Sequence, residues 1–359
     1  MKVSFFQDKA GKFVNRHPQI MINLGNRESK QLQDELIDLP INNPIYVTGL
    51  ARSGTTILLE KLALHPDLAS YRYKDFPLVH IPIWWERFLN RAGSGDIKTV
   101  ERAHKDRIII SPDSPEAMEE ILWMSFFTNI HDSSENNILD KNTFNSEFVE
   151  FYKKTIQKIV FSRNGKRYVA KGNYNISRIE YINTIFPDAK FIVAIRNPVD
   201  HIASLMKQHS LFSQFEQNDK KVLTYMQILG HFEFGLDRRP INFGNSETTS
   251  EIQNHLNNNE NVMGLAKYWS SVYSYVADLL EDKQLARNIL LIDYDEFCQK
   301  PFEILYSIYS KCELIVDKTI IKEQAKTISA PKYYKHNFTN EEINLINRET
   351  RNTLNRLKL

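Results

Sequence analysis

The sequence predicts an α/β fold: a central parallel sheet with helices on both faces and helical insertions between the sheet units. Three observations carry this expectation. A short apolar run, "IYVTG" at 45–49, passes through a glycine-bearing loop into a helical pattern. The alternation of strand and helix returns at 167–207 and again from 288. The composition, 42% hydrophobic and 25% charged over 359 residues, is that of a globular chain with a large core.

Taken in order, residues 45–49 are β-branched and aromatic enough for a buried strand. In "TTILLEKLALH", Ile57, Leu58, Leu62 and Leu64 sit near helical spacing, and Pro66 ends the pattern. Residues 72–165 carry many aromatics, with candidate helices near 81–91, 115–128 and 146–162. Ser114 ahead of Glu116 reads as the start of the middle one. "RYVAKG" (167–172) reads as a strand, "ISRIEYINTIFPD" (176–188) as an amphipathic helix and "AKFIVAI" (189–195) as a strand, after which Pro198 opens a helix. Residues 210–285 form a second helical stretch. Its Asn/Ser/Thr-rich piece, 242–262, is expected to be a loop or a mobile segment. "NILLID" (288–293) is a further strand followed by a helix. Strands alternating with helices imply a parallel sheet covered on both faces. No repeat or linker divides the chain, so one domain over 1–359 is expected, with 72–165 and 210–285 as insertions.

A formal net charge of +2 argues against a general nucleic-acid binder. The two cysteines, Cys298 and Cys312, form no metal or disulfide framework. The N-terminal residues lack an apolar signal core, and no run is long and apolar enough for a membrane span. A soluble, cytoplasmic protein is expected.

The loop after the first strand, "GLARSGTT" (49–56), has the glycine spacing of a nucleotide-triphosphate loop, but Thr55 stands where the lysine belongs. That context points to a P-loop-containing nucleotide-hydrolase-like fold. Backbone amides at a helix N-terminus make an anion site without any side chain. Arg52 adds a cation, and Ser53, Thr55 and Thr56 add hydroxyls. Without the lysine there is no grip on a γ-phosphate, so the site suits a single terminal phosphate-like group. In the second unit, Arg196 stands at the carboxyl end of a strand, where ligands gather in open α/β sheets. Ser204 follows eight residues later, and the two could share one phosphate.

Together these stretches resemble the sulfotransferases that use 3′-phosphoadenosine 5′-phosphosulfate (PAPS), especially the tyrosylprotein-type and bacterial branches with a P-R-S-G-T-T loop. "GLARSGTTILLEKLALHPD" is similar to the 5′-phosphosulfate loop, and "FPDAKFIVAIRNPVDHIASLMK" to the 3′-phosphate motif. "KG" at 171–172, "ILLIDYDEFCQKPFEIL" and "APKYYKHNFTNEEI" resemble later segments of that family, in order over about 44–346. The resemblance implies that Arg52, Ser53, Gly54, Thr55 and Thr56 hold the 5′-phosphosulfate and that Arg196 and Ser204 hold the 3′-phosphate. It places Lys171 near the sulfuryl group, and either Lys332 or Lys335 as the lysine that closes on the nucleotide. It also implies adenosine 3′,5′-bisphosphate as product and no metal.

Transfer to an alcohol needs a base near the acceptor oxygen. In the branches this loop resembles, a carboxylate follows the first helix, which points to Asp75, with His80 and Glu86 as alternatives. The acceptor would be a small molecule or a glycan, covered by the two insertions. Tyr71, Tyr73, Phe76, Trp84, Trp85 and Phe88 fit either an acceptor wall or an insertion's core. The rival reading is a P-loop kinase or ATPase with Asp293 as its magnesium acid. A third is a non-catalytic nucleotide-binding protein of the same fold.

Overall fold

A computed structural model describes residues 1, 3–93, 99–329 and 336–359. Among the described residues the strands are β1 (Ile45–Thr48), β2 (Leu68–Ala69), β3 (Val100–Glu101), β4 (Ile109–Ile110), β5 (Arg167–Lys171), β6 (Lys190–Ile195) and β7 (Ile289–Asp293). Five form one sheet in the order β2-β5-β1-β6-β7, every pairing parallel. The pair β3–β4 is a small antiparallel hairpin outside it. The four expected strands are therefore present, within a residue or two of their expected ends.

Side-chain alternation splits the sheet between two cores. Tyr46, Tyr168, Ala170, Phe191 and Val193 face one side, with Tyr152, Ile182 and Trp269 from covering helices. Ile45, Val47, Val169, Ile192 and Ala194 face the other, with Leu58, Leu62, Leu305 and Ile308. This two-sided burial is why the strands read as continuous apolar runs.

Three expectations are corrected. Residues 242–262 are not simply a loop, because they contain the helix Ser246–Asn257. Asn245 caps it by accepting from the Thr248 N–H at 2.9 Å. Thr249, Ile252 and Leu256 share its buried face, a helical spacing hidden by the polar composition. The expected helix at 115–128 spans only Glu120–Phe126. Residues ahead of it are held extended: the Glu116 N–H donates to the Tyr71 carbonyl at 3.0 Å. Ser114 is accordingly no cap, since its Oγ accepts from the Ser111 N–H at 3.0 Å within a turn. The helix expected over 176–188 spans Ile179–Ile185, after a 3-10 turn at Asn173–Ser177. By contrast, Ser146–Ser162 is a helix as expected.

Among the described residues, no helix is long and apolar enough to cross a membrane.

Candidate active site

β1, β5 and β6 end side by side, with Val47 in register with Lys171 and Thr48 with Val193. Their carboxyl ends carry the glycine loop, Lys171 and Arg196, which gathers the sequence motifs at one edge of the sheet.

The loop requires its glycines for close approach. At Gly54 (φ +102°) an added Cβ would lie 2.3 Å from the Tyr294 ring, and at Gly49 (φ +141°) 2.5 Å from the Ala194 carbonyl oxygen. Arg52 also adopts a positive φ, 75°. The turn is pinned from beneath. The Tyr273 hydroxyl donates to the Ala194 carbonyl at 2.9 Å, and His201 Nε2 lies 2.8 Å from the Ala51 carbonyl. Burial pushes the His201 imidazole down to about 3, so it stays neutral and donates from Nε2. The helix Thr55–Leu62 starts directly after Gly54, so its first free N–H groups lie at the loop.

A cleft of about 850 Å³ opens here, and Arg52, Gly54, Thr55, Thr56, Arg196 and Ser204 line it. Ser53 lies beneath, fully buried. The two sequence motifs meet in space: Arg52 Nε is 3.5 Å from Ser204 Oγ, and Arg196 Nη1 is 3.5 Å from the Arg52 carbonyl. The Arg196 guanidinium also stacks over the Tyr294 ring at 5.3 Å.

Two residues of this cleft escaped the sequence reading. The tip of the β3–β4 hairpin inserts Asp106 between two arginines. Arg52 Nη1 donates to Asp106 at 2.8 Å, and Arg102 grips the same carboxylate through Nε at 2.8 Å and through Nη2. Burial alone would raise this carboxyl, but Arg102 and Arg52 outweigh it and hold it at about 2. Arg102 Nη1 also reaches Thr56 Oγ1 at 3.2 Å.

Behind the loop lies a cavity of about 30 Å³, lined in part by Thr55, Thr56, Glu116, Lys171, Asn173 and Glu233. Burial, assisted by Arg102 and Arg52, lowers the Lys171 ammonium below its ordinary range, and Glu116 opposes the shift. Burial would raise the Glu116 carboxyl, but Lys171, the Ala117 N–H and the Tyr73 hydroxyl hold it below its usual value. Glu116 is therefore ionised at neutral pH. Glu233 is occupied by Asn173 Nδ2, which donates at 2.6 Å, and by His231 at 3.3 Å.

The structure does not bring Asp75, His80 or Glu86 to this place. Asp75 is 1% exposed. Arg163 Nη2 lies 2.6 Å from one of its oxygens, and the Arg72 N–H donates to the other at 2.7 Å. Glu86 shares Arg163 at 2.6 Å and pairs with Lys74 at 3.0 Å. His80 is fully buried with Nε2 2.9 Å from Ser125 Oγ, and burial pushes it down to about 3. All three are committed to packing helices together. The nearby aromatics follow suit: Tyr71, Phe76 and Trp85 are core residues. Asp293 caps the next helix, accepting from the Asp295 and Glu296 N–H groups at 2.8 and 3.0 Å. Lys332 and Lys335 lie outside the described residues.

A model of the sulfotransferase family matches residues 44–239. Among solved structures, sulfotransferase STF1 from Mycobacterium tuberculosis H37Rv is similar, with 16% identity and a TM-score of 0.52 over 97% of this chain and 86% of that one. Sulfotransferase STF9 from Mycobacterium avium matches at 15% identity and a TM-score of 0.49, over 91% and 80%. No curated protein matches the chain significantly.

Proposed function

Since the chain belongs to the sulfotransferase family, we propose that it moves a sulfuryl group from PAPS to the hydroxyl of a small-molecule or glycan acceptor. One observation carries this reading. One cleft is lined by the loop at a helix N-terminus and by Arg196 and Ser204 from the second motif. A ligand with phosphates at both ends of a nucleoside matches that pair. The residues fit such a ligand: Arg196 lines the cleft, and its Nε is a buried atom with no hydrogen-bond partner among the described residues.

In this reading Arg52 and the amides of 54–56 hold the 5′-phosphosulfate, while Arg196 and Ser204 hold the 3′-phosphate. Lys171 stabilises the charge developing on the leaving phosphate oxygen. Glu116 takes the place the sequence assigned to Asp75: ionised, beside Lys171 and at the loop, it accepts the proton of the acceptor hydroxyl. The acceptor O–S bond forms as the S–O bond to the 5′-phosphate breaks. The products are a sulfate ester, adenosine 3′,5′-bisphosphate and a proton on Glu116. The insertions 72–165 and 210–285 supply Glu116 and Glu233 and would cover the acceptor.

The test is transfer of labelled sulfate from PAPS into a cell extract, followed by identification of the product. Adenosine 3′,5′-bisphosphate at about 100 times its dissociation constant should stabilise the protein by about 2.7 kcal/mol with EDTA present. The absence of any shift at millimolar nucleotide would overturn the donor assignment.

A further inference from the structure

The helix Phe5–Arg16 presents an unusual outward face. Its inner side buries Asp8, Gly11 and Val14. At about 100° per residue, Lys12, Phe5, Arg16, Lys9, Phe13 and Phe6 fall in one arc about 120° wide. Phe5, Phe6 and Phe13 are 73%, 53% and 49% exposed. The helix's acid, Asp8, lies on the buried side with Lys12 Nζ 2.5 Å away, so every charge in the outward arc is positive.

The strip continues onto the neighbouring helix Pro82–Ala92. Phe6 stacks on Trp85 at 6.0 Å, and Trp85 on Phe88 at 5.3 Å. Phe88 is 57% exposed, and Arg87 and Arg91 beside it are exposed as well. Single exposed aromatics are ordinary on protein surfaces, whereas Phe5, Phe6, Phe13 and Phe88, exposed on two adjoining helices around the buried Trp85, mark an interaction face.

We propose that this face docks on an anionic lipid bilayer, the phenylalanines entering the headgroup–acyl boundary and the lysines and arginines meeting lipid phosphates. Exposed aromatics can enter an interface while the long basic side chains beside them reach the phosphates of anionic lipids. Charge decides against a second copy of the chain, because a self-complementary contact would press cations on cations. The helix lies on the surface and does not span it.

The helix's buried side anchors it to the core: a Cβ at Gly11 would lie 3.1 Å from Phe76, and Phe76 packs edge-on against Tyr225 at 5.1 Å.

The experiment is sedimentation of the full chain with phosphatidylcholine vesicles, with and without phosphatidylserine, at low salt. Binding to the serine-containing vesicles alone is expected. Replacing Phe5, Phe6 and Phe13 together by Ser, or reversing charge with Lys9→Glu and Arg16→Glu, should weaken it roughly tenfold or more with the melting temperature unchanged. Failure to sediment with anionic vesicles overturns the proposal, as does binding that survives both variants. A concentration-dependent dimer that the serine variant dissolves makes the partner a second copy and equally overturns it. Sedimentation requires no turnover, so this result is independent of the transfer assay.

Discussion

Glu116 and Asp75 are both carboxylates of the 72–165 insertion, and their partners decide what each can do. Glu116→Gln should leave nucleotide binding nearly intact and lower turnover by roughly 10²–10⁴, the contribution of a positioned base. Asp75→Asn should act on stability instead. Breaking the pair with Arg163 should cost up to about 3–5 kcal/mol in a urea titration, with turnover per folded molecule preserved. An inactive Asp75→Asn of full stability would return the base to Asp75. Arg196→Ala should weaken adenosine 3′,5′-bisphosphate by about 1.5–3 kcal/mol and leave adenosine 5′-phosphosulfate nearly unaffected. Equal losses would make Arg196 structural. The phosphate side of the site was legible because its residues lie in two contiguous motifs. The base was not, because what disqualifies Asp75 is an arginine 88 positions away. What recommends Glu116 is a lysine on β5, and only the fold shows such neighbours.

Elements were legible in proportion to their internal patterning. β1, β5 and β6 are buried on both faces and read as unbroken apolar runs. The helix Ser246–Asn257 commits only Thr249, Ile252 and Leu256 to its partner, and its asparagines and serines disguised it. The tie between helices Pro18–Gln31 and Ser146–Ser162 was equally hidden. Lys158 Nζ, fully buried, lies 2.9 Å from Glu28, and Glu28 also accepts from the Trp84 N–H at 2.6 Å. Lys158→Met should destabilise by about 3–5 kcal/mol because it strands a buried carboxylate, and adding Glu28→Gln should recover much of that. If the single variant melts with the wild type, the pair holds nothing together.

The whole molecule should be sensitive to mild acid. His80 and His201 are both fully buried and pushed to about 3, so they stay neutral in the folded state. Below about 6.5 the unfolded chain takes up their protons and the folded one does not, so stability falls by about 1.4 kcal/mol per pH unit for each. Glu119, pushed up to about 6 by burial, works the other way: it protonates first in the folded state. His104 and His209, also pushed down by burial, add to the histidine side, so the fall outweighs what Glu119 returns and stability drops between pH 6 and 5. Urea midpoints at pH 7 and 5 measure it, and equal midpoints would refute the assignment. Across the molecule, the hairpin tip carries a consequence for how ligands enter. Asp106 is a tethered counter-ion, and tethering gives it an effective concentration that a dissolved anion must match. A lone phosphate or sulfate competes with it directly. A nucleotide gripped at two ends spreads that competition over both, so the cleft screens out the small anions of its surroundings without any steric barrier. Capture then has two stages, and its observed rate should level off at high nucleotide as withdrawal of the hairpin becomes limiting; in Asp106→Asn the plateau should vanish and inorganic phosphate should begin to inhibit.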